Sequence, residues 1–366
     1  MAHRTVVIGT GAVGLSTALA LLHLGHQVTL LDRGRAGGES SWAGGGILSP
    51  LLPWGYTEPV AALALRSMAG YATWVDAVET LGALKTEFWR CGLLALNISE
   101  SDQARDWCVA HEMATLDALS SSTLRRNTQE NAVWLPQIAQ VRNPRLITAL
   151  SAAINQMGGS VREYCPATGV RIKARRVVAI QTACDDLVAD QVVIATGAWA
   201  GLGLAEVKAV PQVRPIRGQM LLFKLDPGAL ETIVYRNGLY LIPRRDGHIL
   251  VGSTLEDAGF DKSTDLPTRQ RLHAEAAEIL PILRSVAPIR HWAGLRPGSP
   301  DNIPIIDRHP DFDNVFVNTG HYRYGVTMAP ASAELLVDLM EGKTPALDPA
   351  PYRWEAALAR HWSSTL

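Results

Sequence analysis

The stretch that decides the fold is Thr5-Val6-Val7-Ile8-Gly9-Thr10-Gly11-Ala12-Val13-Gly14. A short β-branched apolar run opens it, a G-x-G-x-x-G turn follows, and an Ala/Leu-rich helical segment runs from Leu15 to Leu24. A second apolar run, Gln27 to Leu31, ends on Asp32. Glycines alone would say little, but strand, glycine turn, helix, strand and acid in that order point to a dinucleotide. Gly9 makes the tight turn, Gly11 lets backbone approach a pyrophosphate, and Gly14 lets helix pack on strand. Around Ala12 and Val13 the helix start offers free N–H groups and its positive dipole end to phosphates. Asp32 is placed to accept hydrogen bonds from ribose hydroxyls.

The loop after Asp32 narrows the choice of dinucleotide. It reads Arg33-Gly34-Arg35-Ala36-Gly37-Gly38-Glu39-Ser40-Ser41-Trp42-Ala43-Gly44-Gly45-Gly46-Ile47. A simple nicotinamide site needs no second glycine run here. The hydroxyls of Ser40 and Ser41 and the flexible backbone through Gly45, Gly46 and Ile47 can line a second diphosphate face.

Composition sets outer bounds. With 366 residues, 47% of them hydrophobic, the chain can support two domains with large cores. A formal net charge of −1 gives no attraction to nucleic acid or to an anionic membrane. Cys91, Cys108, Cys165 and Cys184 show no C-x-x-C spacing and read as incidental or buried thiols in a reducing compartment. His3, His23 and His26 are scattered, and no metal-ligand pattern occurs. The apolar run Val6 to Leu22 is interrupted by turn glycines and shorter than the roughly 20 residues of a membrane span. It has neither a basic leader nor a small-residue cleavage site, so a cytoplasmic protein is expected.

Further along, Val60 to Leu81 is amphipathic and helical, Gly92 to Asn97 reads as a strand, and Ser101 to Met113 as a helix. Pro144 in the first turn and Gly158-Gly159 past the end bound another helix, Leu146 to Met157. Val192-Val193-Ile194-Ala195-Thr196-Gly197 is a continuous apolar run, as in a buried parallel strand. Val213 to Phe223, Leu239 to Pro243 and Ile249 to Gly252 alternate like antiparallel strands, with turns at Asp226-Pro227-Gly228 and Asp246-Gly247 and a helix from Thr268 to Leu283 after them.

Three places concentrate substrate chemistry. Arg296, between Gly294-Leu295 and Pro297-Gly298, offers a guanidinium fork that fits a carboxylate in two-pronged fashion. Tyr240 sits in an apolar strand, where it is either structural or a second donor to that carboxylate. In Asn318-Thr319-Gly320-His321-Tyr322-Arg323-Tyr324-Gly325-Val326-Thr327 a strand runs into a polar loop and then a helix start, which can stabilise negative charge.

GTGAVG, LLDRG and ESSWAGGGILSP resemble the D-amino-acid oxidase superfamily of FAD-dependent amine oxidases. LYLIPRRDGHILVGSTLE, HWAGLRPGSPDNIPIIDRHP and GHYRYGVTMAPAS are similar to blocks of its glycine oxidase branch of thiamin biosynthesis. The resemblance implies an α/β fold: a Rossmann-like, glutathione-reductase-type FAD-binding domain (1–85, 141–210 and 305–366). Beside it stands an α+β substrate domain with a mainly antiparallel sheet (86–140 and 211–304). It implies cofactor contacts from the glycine turn, Asp32, Arg33, Ser40, Ser41, the Gly45–Ile47 loop, Thr196, Gly197 and the loop His321 to Thr327, with an adenine contact assigned to Val170. Arg296, assisted by Tyr240 and lined by Arg323, becomes the carboxylate clamp. Tyr324 departs from the asparagine common at that position, which leaves substrate scope open. No cysteine lies between Gly298 and Pro330, where covalent relatives attach flavin, so FAD is expected to be non-covalent. The implied reaction is oxidation of glycine or a small amino acid to an imine, with dioxygen as acceptor, a possible thiazole-forming partner and a homo-oligomeric state. A D-amino acid dehydrogenase passing electrons to quinone and a tRNA-modifying FAD oxidoreductase are the alternatives.

Overall fold

The first strand, Arg4–Ile8, is buried on both faces, and its alternation explains how. Val7 points into a cluster with Leu15, Leu19, Leu63 and Leu336 from the helices, whereas Val6 and Ile8 point into an opposite cluster with Val170, Val177 and Ile180. In a computed structural model describing residues 2–99, 101–113, 132–204 and 206–362, this strand lies inside a six-stranded sheet. Across that sheet the strands are Ile305–Arg308, Val315–Thr319, Gln191–Ile194, Arg4–Ile8, Gln27–Leu31 and Ser160–Arg162. All neighbours run parallel except the edge pair Ile305–Arg308 and Val315–Thr319. The chain leaves Arg4–Ile8 toward one neighbour and returns much later on the other side. Such a switch point opens a crevice beyond the carboxyl ends of the strands.

The helices Ala12–His23, Glu58–Gly82, Asn143–Gln156 and Gly325–Met340 pack on one face of this sheet. An antiparallel meander of Ala167–Lys173, Arg176–Thr182 and Asp186–Val188 contributes to the cluster on the other. A second sheet of seven strands runs Arg290–Gly298, Arg214–Lys224, His248–Gly252, Leu239–Pro243, Ile233–Arg236, Leu93–Leu96 and Ala132–Leu135. It is antiparallel but for the pair Ile233–Arg236 and Leu93–Leu96. One face holds the helix Leu266–Ile279 through Leu272 and Ala276. The other, with Met220, Tyr240 and Ile242, packs with Leu51 and Trp54. The helix expected to reach Leu283 ends at Ile279, and a 3-10 turn from Pro281 to Ser285 follows, because proline cannot donate the next helical hydrogen bond. Part of the expected 86–140 excursion, residues 114–131, lies outside the described residues. No helix among the described residues is long and apolar enough to cross a membrane.

Candidate active site

The glycine turn is built as its spacing demands. Gly9 has φ +110°, and a Cβ there would lie 2.3 Å from the Ala195 carbonyl oxygen. A Cβ on Gly14 would lie 2.0 Å from the Gly9 oxygen, so this glycine is needed for helix-on-strand contact. At Gly11 the nearest obstacle is Ser41 Oγ at 3.1 Å, so the opening over the turn is left clear of backbone. Ser41 Oγ accepts the Ala12 N–H at 2.9 Å, which leaves its own proton free to donate. Asp32, expected to face ribose, also braces the turn. Its carboxylate accepts from Thr10 N at 3.0 Å, Thr10 Oγ1 at 2.6 Å and Gly34 N at 2.9 Å. Arg33 is exposed, stacks 3.7 Å above the Trp199 ring and pairs with Glu39 at 3.0 Å.

Two adjoining cavities share Gly11, Ser40, Ser41, Ala195 and Gly197, and so form one trough. One arm is lined by Asp32, Arg33, Thr196 and Trp199. Val170 does not line it. Its side chain belongs to the core cluster under the sheet, and Pro166 and Ala167, at the start of the same strand, line the cavity instead. The other arm is lined by Ala12, Val13, Gly45, Gly46 and Ile47, and by the loop His321 to Thr327. Gly46 has φ +76°, and a Cβ on it would lie 2.2 Å from the Val141 oxygen. The buried Arg244 clamps this loop, donating at 2.9 Å to the oxygens of both Gly45 and Val141. Burial, with Arg142 beside it, lowers its pKa to about 10, so it stays charged at neutral pH.

Four buried polar groups lining this second arm have no hydrogen-bond partner: the Asn143 side-chain amide, Asn318 Oδ1, His321 Nε2 and the Tyr322 hydroxyl. Each costs free energy unless a ligand satisfies it. Their convergence fits a polar, ring-bearing ligand such as a flavin. Asn143 and Asn318 escaped the sequence reading, since a helix-start asparagine and a strand-end asparagine carry no motif of their own. Burial pushes His321 down to about 3, so it is neutral at working pH.

Arg296 projects from the strand Arg290–Gly298 opposite Ile216. Its room is made by Gly218, where a Cβ would lie 2.2 Å from Nη1. The guanidinium donates to Ser253 Oγ at 2.6 Å, to the Thr254 oxygen at 3.2 Å and to the Arg217 oxygen at 3.3 Å. It also bonds the Tyr240 phenol, whose O–H remains free to donate. Desolvation lowers the Arg296 pKa, and the nearby Tyr240 opposes that. No Asp or Glu lines this cavity among the described residues, and neither Arg296 nor Arg323 has a carboxylate within ion-pair distance. Tyr324 is buried in the cavity wall. Its hydroxyl donates to the Tyr56 hydroxyl, and the two rings meet edge-on at 5.1 Å and 88°. Thr327 Oγ1 ties the following helix start to the Ile47 oxygen at 3.0 Å.

A parallel sheet with a dinucleotide trough at its switch point, roofed by an antiparallel sheet that carries an arginine, defines a flavin oxidoreductase architecture. Residues 4–339 match the FAD dependent oxidoreductase family (DAO), and the chain belongs to it. A glycine oxidase of Pseudomonas aeruginosa is 42% identical over 358 residues, covering 96% of this chain and 98% of that one. A bifunctional ThiO/ThiG protein of Trichormus variabilis is 31% identical, over 93% of this chain and 53% of its own length. The crystal structure of glycine oxidase from Geobacillus kaustophilus superimposes with a TM-score of 0.88 at 25% identity, covering 96% of this chain and 98% of that one.

Proposed function

We propose that this protein is a glycine oxidase: it converts glycine, water and dioxygen to glyoxylate, ammonia and hydrogen peroxide. The observation that carries the reading is Arg296 with Tyr240 in a cavity that no acid lines among the described residues, at one end of the dinucleotide trough. A guanidinium so enclosed calls for an anion, and the carboxylate of an amino acid supplies it. FAD, held without a covalent bond, supplies the hydride acceptor and the route of electrons to dioxygen.

The chain's own groups do the rest. Gly9, Gly11, Gly14, Ser40 and Ser41 cradle the diphosphate, while Asp32, Arg33, Thr196 and Ala167 take the adenosine side. Arg296 and the Tyr240 hydroxyl fix the carboxylate, which sets where the α-carbon lies; positioning of this kind is worth roughly 7–11 kcal/mol in favourable cases. The positive field of Arg296 and Arg323 disfavours an ammonium group, so the amine sheds its proton on binding. The first turn of the helix Gly325–Met340 directs its N–H groups toward the cavity and favours negative charge there. His321, kept neutral, is a hydrogen-bonding partner and not a proton carrier at neutral pH.

In this reading, 1–85, 141–210 and 305–366 form the FAD-binding domain, and 86–140 and 211–304 the substrate domain. The fused ThiO/ThiG relative supports release of the imine, dehydroglycine, to a thiazole-forming partner. The protein is assigned to the cytoplasm as a homo-oligomer, which sedimentation of the purified protein checks. The decisive experiment is anaerobic titration of the holoenzyme with glycine. Bleaching of the flavin band, with colour and peroxide returning in air, supports the assignment; a band that stays unchanged overturns it.

A further inference from the structure

Arg296 has no carboxylate within ion-pair distance among the described residues, so neutral acceptors aim its fork. Tyr240 apart, they lie on two segments. One is the Arg217 carbonyl, on the neighbouring strand Arg214–Lys224. The other is the pair Ser253 and Thr254, just past the strand His248–Gly252. The clamp keeps its aim only while these two segments keep a fixed separation, and Glu256 ties them together. Its backbone exchanges hydrogen bonds with that of Arg217 at 2.9 and 3.0 Å. Its carboxylate accepts from Arg217 Nε at 2.9 Å and Nη2 at 2.5 Å, from Gln219 Nε2 at 3.1 Å and from the Thr254 hydroxyl. Burial alone would raise the Glu256 pKa, but the bonds from Thr254 and Arg217 outweigh it and hold the carboxyl below its ordinary value, so it is charged at neutral pH. Arg217 hands the connection on, because its Nη1 donates to Asp261 at 2.7 Å. On either side of Asp261 the chain reaches the walls of the adenosine arm. Lys262 donates to Glu39 at 3.0 Å, and the Phe260 ring meets that of Trp199 at 5.5 Å. Glu39 and Trp199 both line that arm. No helix or strand shapes the chain between Gly252 and Leu266, so side-chain contacts such as these set its course. Asp261 and Lys262 are half-exposed, and each of their ion pairs is worth little alone. What matters is which two places they join.

We propose that residues 256–262 form a strap coupling the two ends of the trough, with Glu256 as a positioning residue for Arg296 and with Phe260 and Lys262 as the anchor on the cofactor arm. A cofactor that fixes Glu39 and Trp199 holds the strap, the strap holds Arg217 and Thr254, and these aim Arg296. Coupling of this kind is reciprocal, so a bound carboxylate also helps to retain the cofactor. This deepens the glycine oxidase reading and rests on it for the identity of the carboxylate.

Two measurements on the holoenzyme test the strap. Methoxyacetate, a carboxylate that cannot be oxidised as an amine, is titrated at saturating FAD and read as perturbation of the flavin spectrum. FAD release on dilution is followed by the return of free-flavin fluorescence. Phe260→Ala combined with Lys262→Ala alters two part-exposed side chains that do not line the arginine cavity, so the variant is expected to fold. It should weaken methoxyacetate binding about threefold to tenfold and speed FAD release by a similar factor. Phe260→Tyr keeps the ring and should leave both close to wild type. Glu256→Gln should weaken methoxyacetate about tenfold and raise KM for glycine more than it lowers kcat, since it removes a charge-assisted bond behind the clamp. Wild-type methoxyacetate affinity in the double variant overturns the coupling even where FAD leaves faster, because a purely local contact with the cofactor arm would do that much. It does so whether or not Glu256→Gln folds. Unchanged affinity in Glu256→Gln overturns the positioning role. Absence of methoxyacetate binding to the wild type overturns clamp and strap together. If glycine bleaches the wild-type flavin while the variants bind methoxyacetate as the wild type does, the strap fails alone. If glycine fails to bleach it, the parent reading fails, and the methoxyacetate titration still decides whether the strap acts on an anion clamp.

Discussion

Gly218 decides where Arg296 can lie, because the guanidinium fills the space a side chain would take. Gly218→Ala should displace the fork and raise KM for glycine about tenfold or more while FAD content stays unchanged, the pair being read by steady-state kinetics and the flavin-to-protein absorbance ratio. Arg296→Ala should lower kcat/KM by a factor on the order of 10² to 10³, since one partner of an enclosed charge pair is lost. Equal kinetics in that variant would remove Arg296 from the clamp. Gly9→Ala makes the opposite separation. Its Cβ would collide with the Ala195 oxygen, so the expected product is protein that takes up little FAD. At this scale the sequence was legible wherever a residue type has few physical uses. The three turn glycines and an arginine between Gly-Leu and Pro-Gly are of that kind. Asp32 was half legible: its place at a strand end marks the ribose side, but its bonds to Thr10 and Gly34 depend on how the turn folds back. The adenine-side contact was expected at Val170, whose side chain the structure turns into the core. A strand alternates its faces, and only the register shows that Val170 points to the core while Ala167 borders the cavity.

Among the elements, the segment Leu48 to Thr57 depends on a contact that no local pattern predicts. Tyr56 and Tyr324 are separated by 268 residues, yet their hydroxyls bond and their rings pack edge-on. Ser49 and Leu51 of the same segment border the cavity, so Tyr324 secures part of its wall. Tyr324→Phe keeps the ring and removes the donor. It should cost about 0.5–1.5 kcal/mol and speed proteolytic cleavage between 48 and 57. Tyr324→Asn removes the ring as well and should relax selectivity toward bulkier amines, seen as a smaller gap between D-alanine and glycine in kcat/KM. Proteolysis rates equal to wild type in both variants would show that the segment is held by other contacts. Strand, turn and helix were readable here from period and punctuation. The pairing across the cavity was not, because it joins a loop to a helix cap through side chains alone.

For the whole molecule, burial of neutral histidines sets the response to acid. His321 falls from an ordinary value of 6.5 to about 3, and His26, His291 and His309 are also lowered by desolvation. Between those values the unfolded chain binds more protons than the folded one, so stability is full above about 6.5 and declines as pH falls toward 3. Asp190, held at about 2 by Arg4, adds a loss in the same direction at the acid end. Thermal unfolding midpoints from pH 8 to 4 should therefore fall monotonically, and a maximum near pH 5 would contradict the assignment. The arrangement of the six-stranded sheet has a consequence for how the protein is made. Gln191–Ile194 slots in beside Arg4–Ile8, and Val315–Thr319 closes the far side of that insertion. A ribosome adding 5–20 residues per second needs roughly 10–40 s to go from the first of these strands to the second. Throughout that interval the earliest apolar strand to emerge has one hydrogen-bonding edge uncovered, which makes the nascent chain a natural client for chaperones.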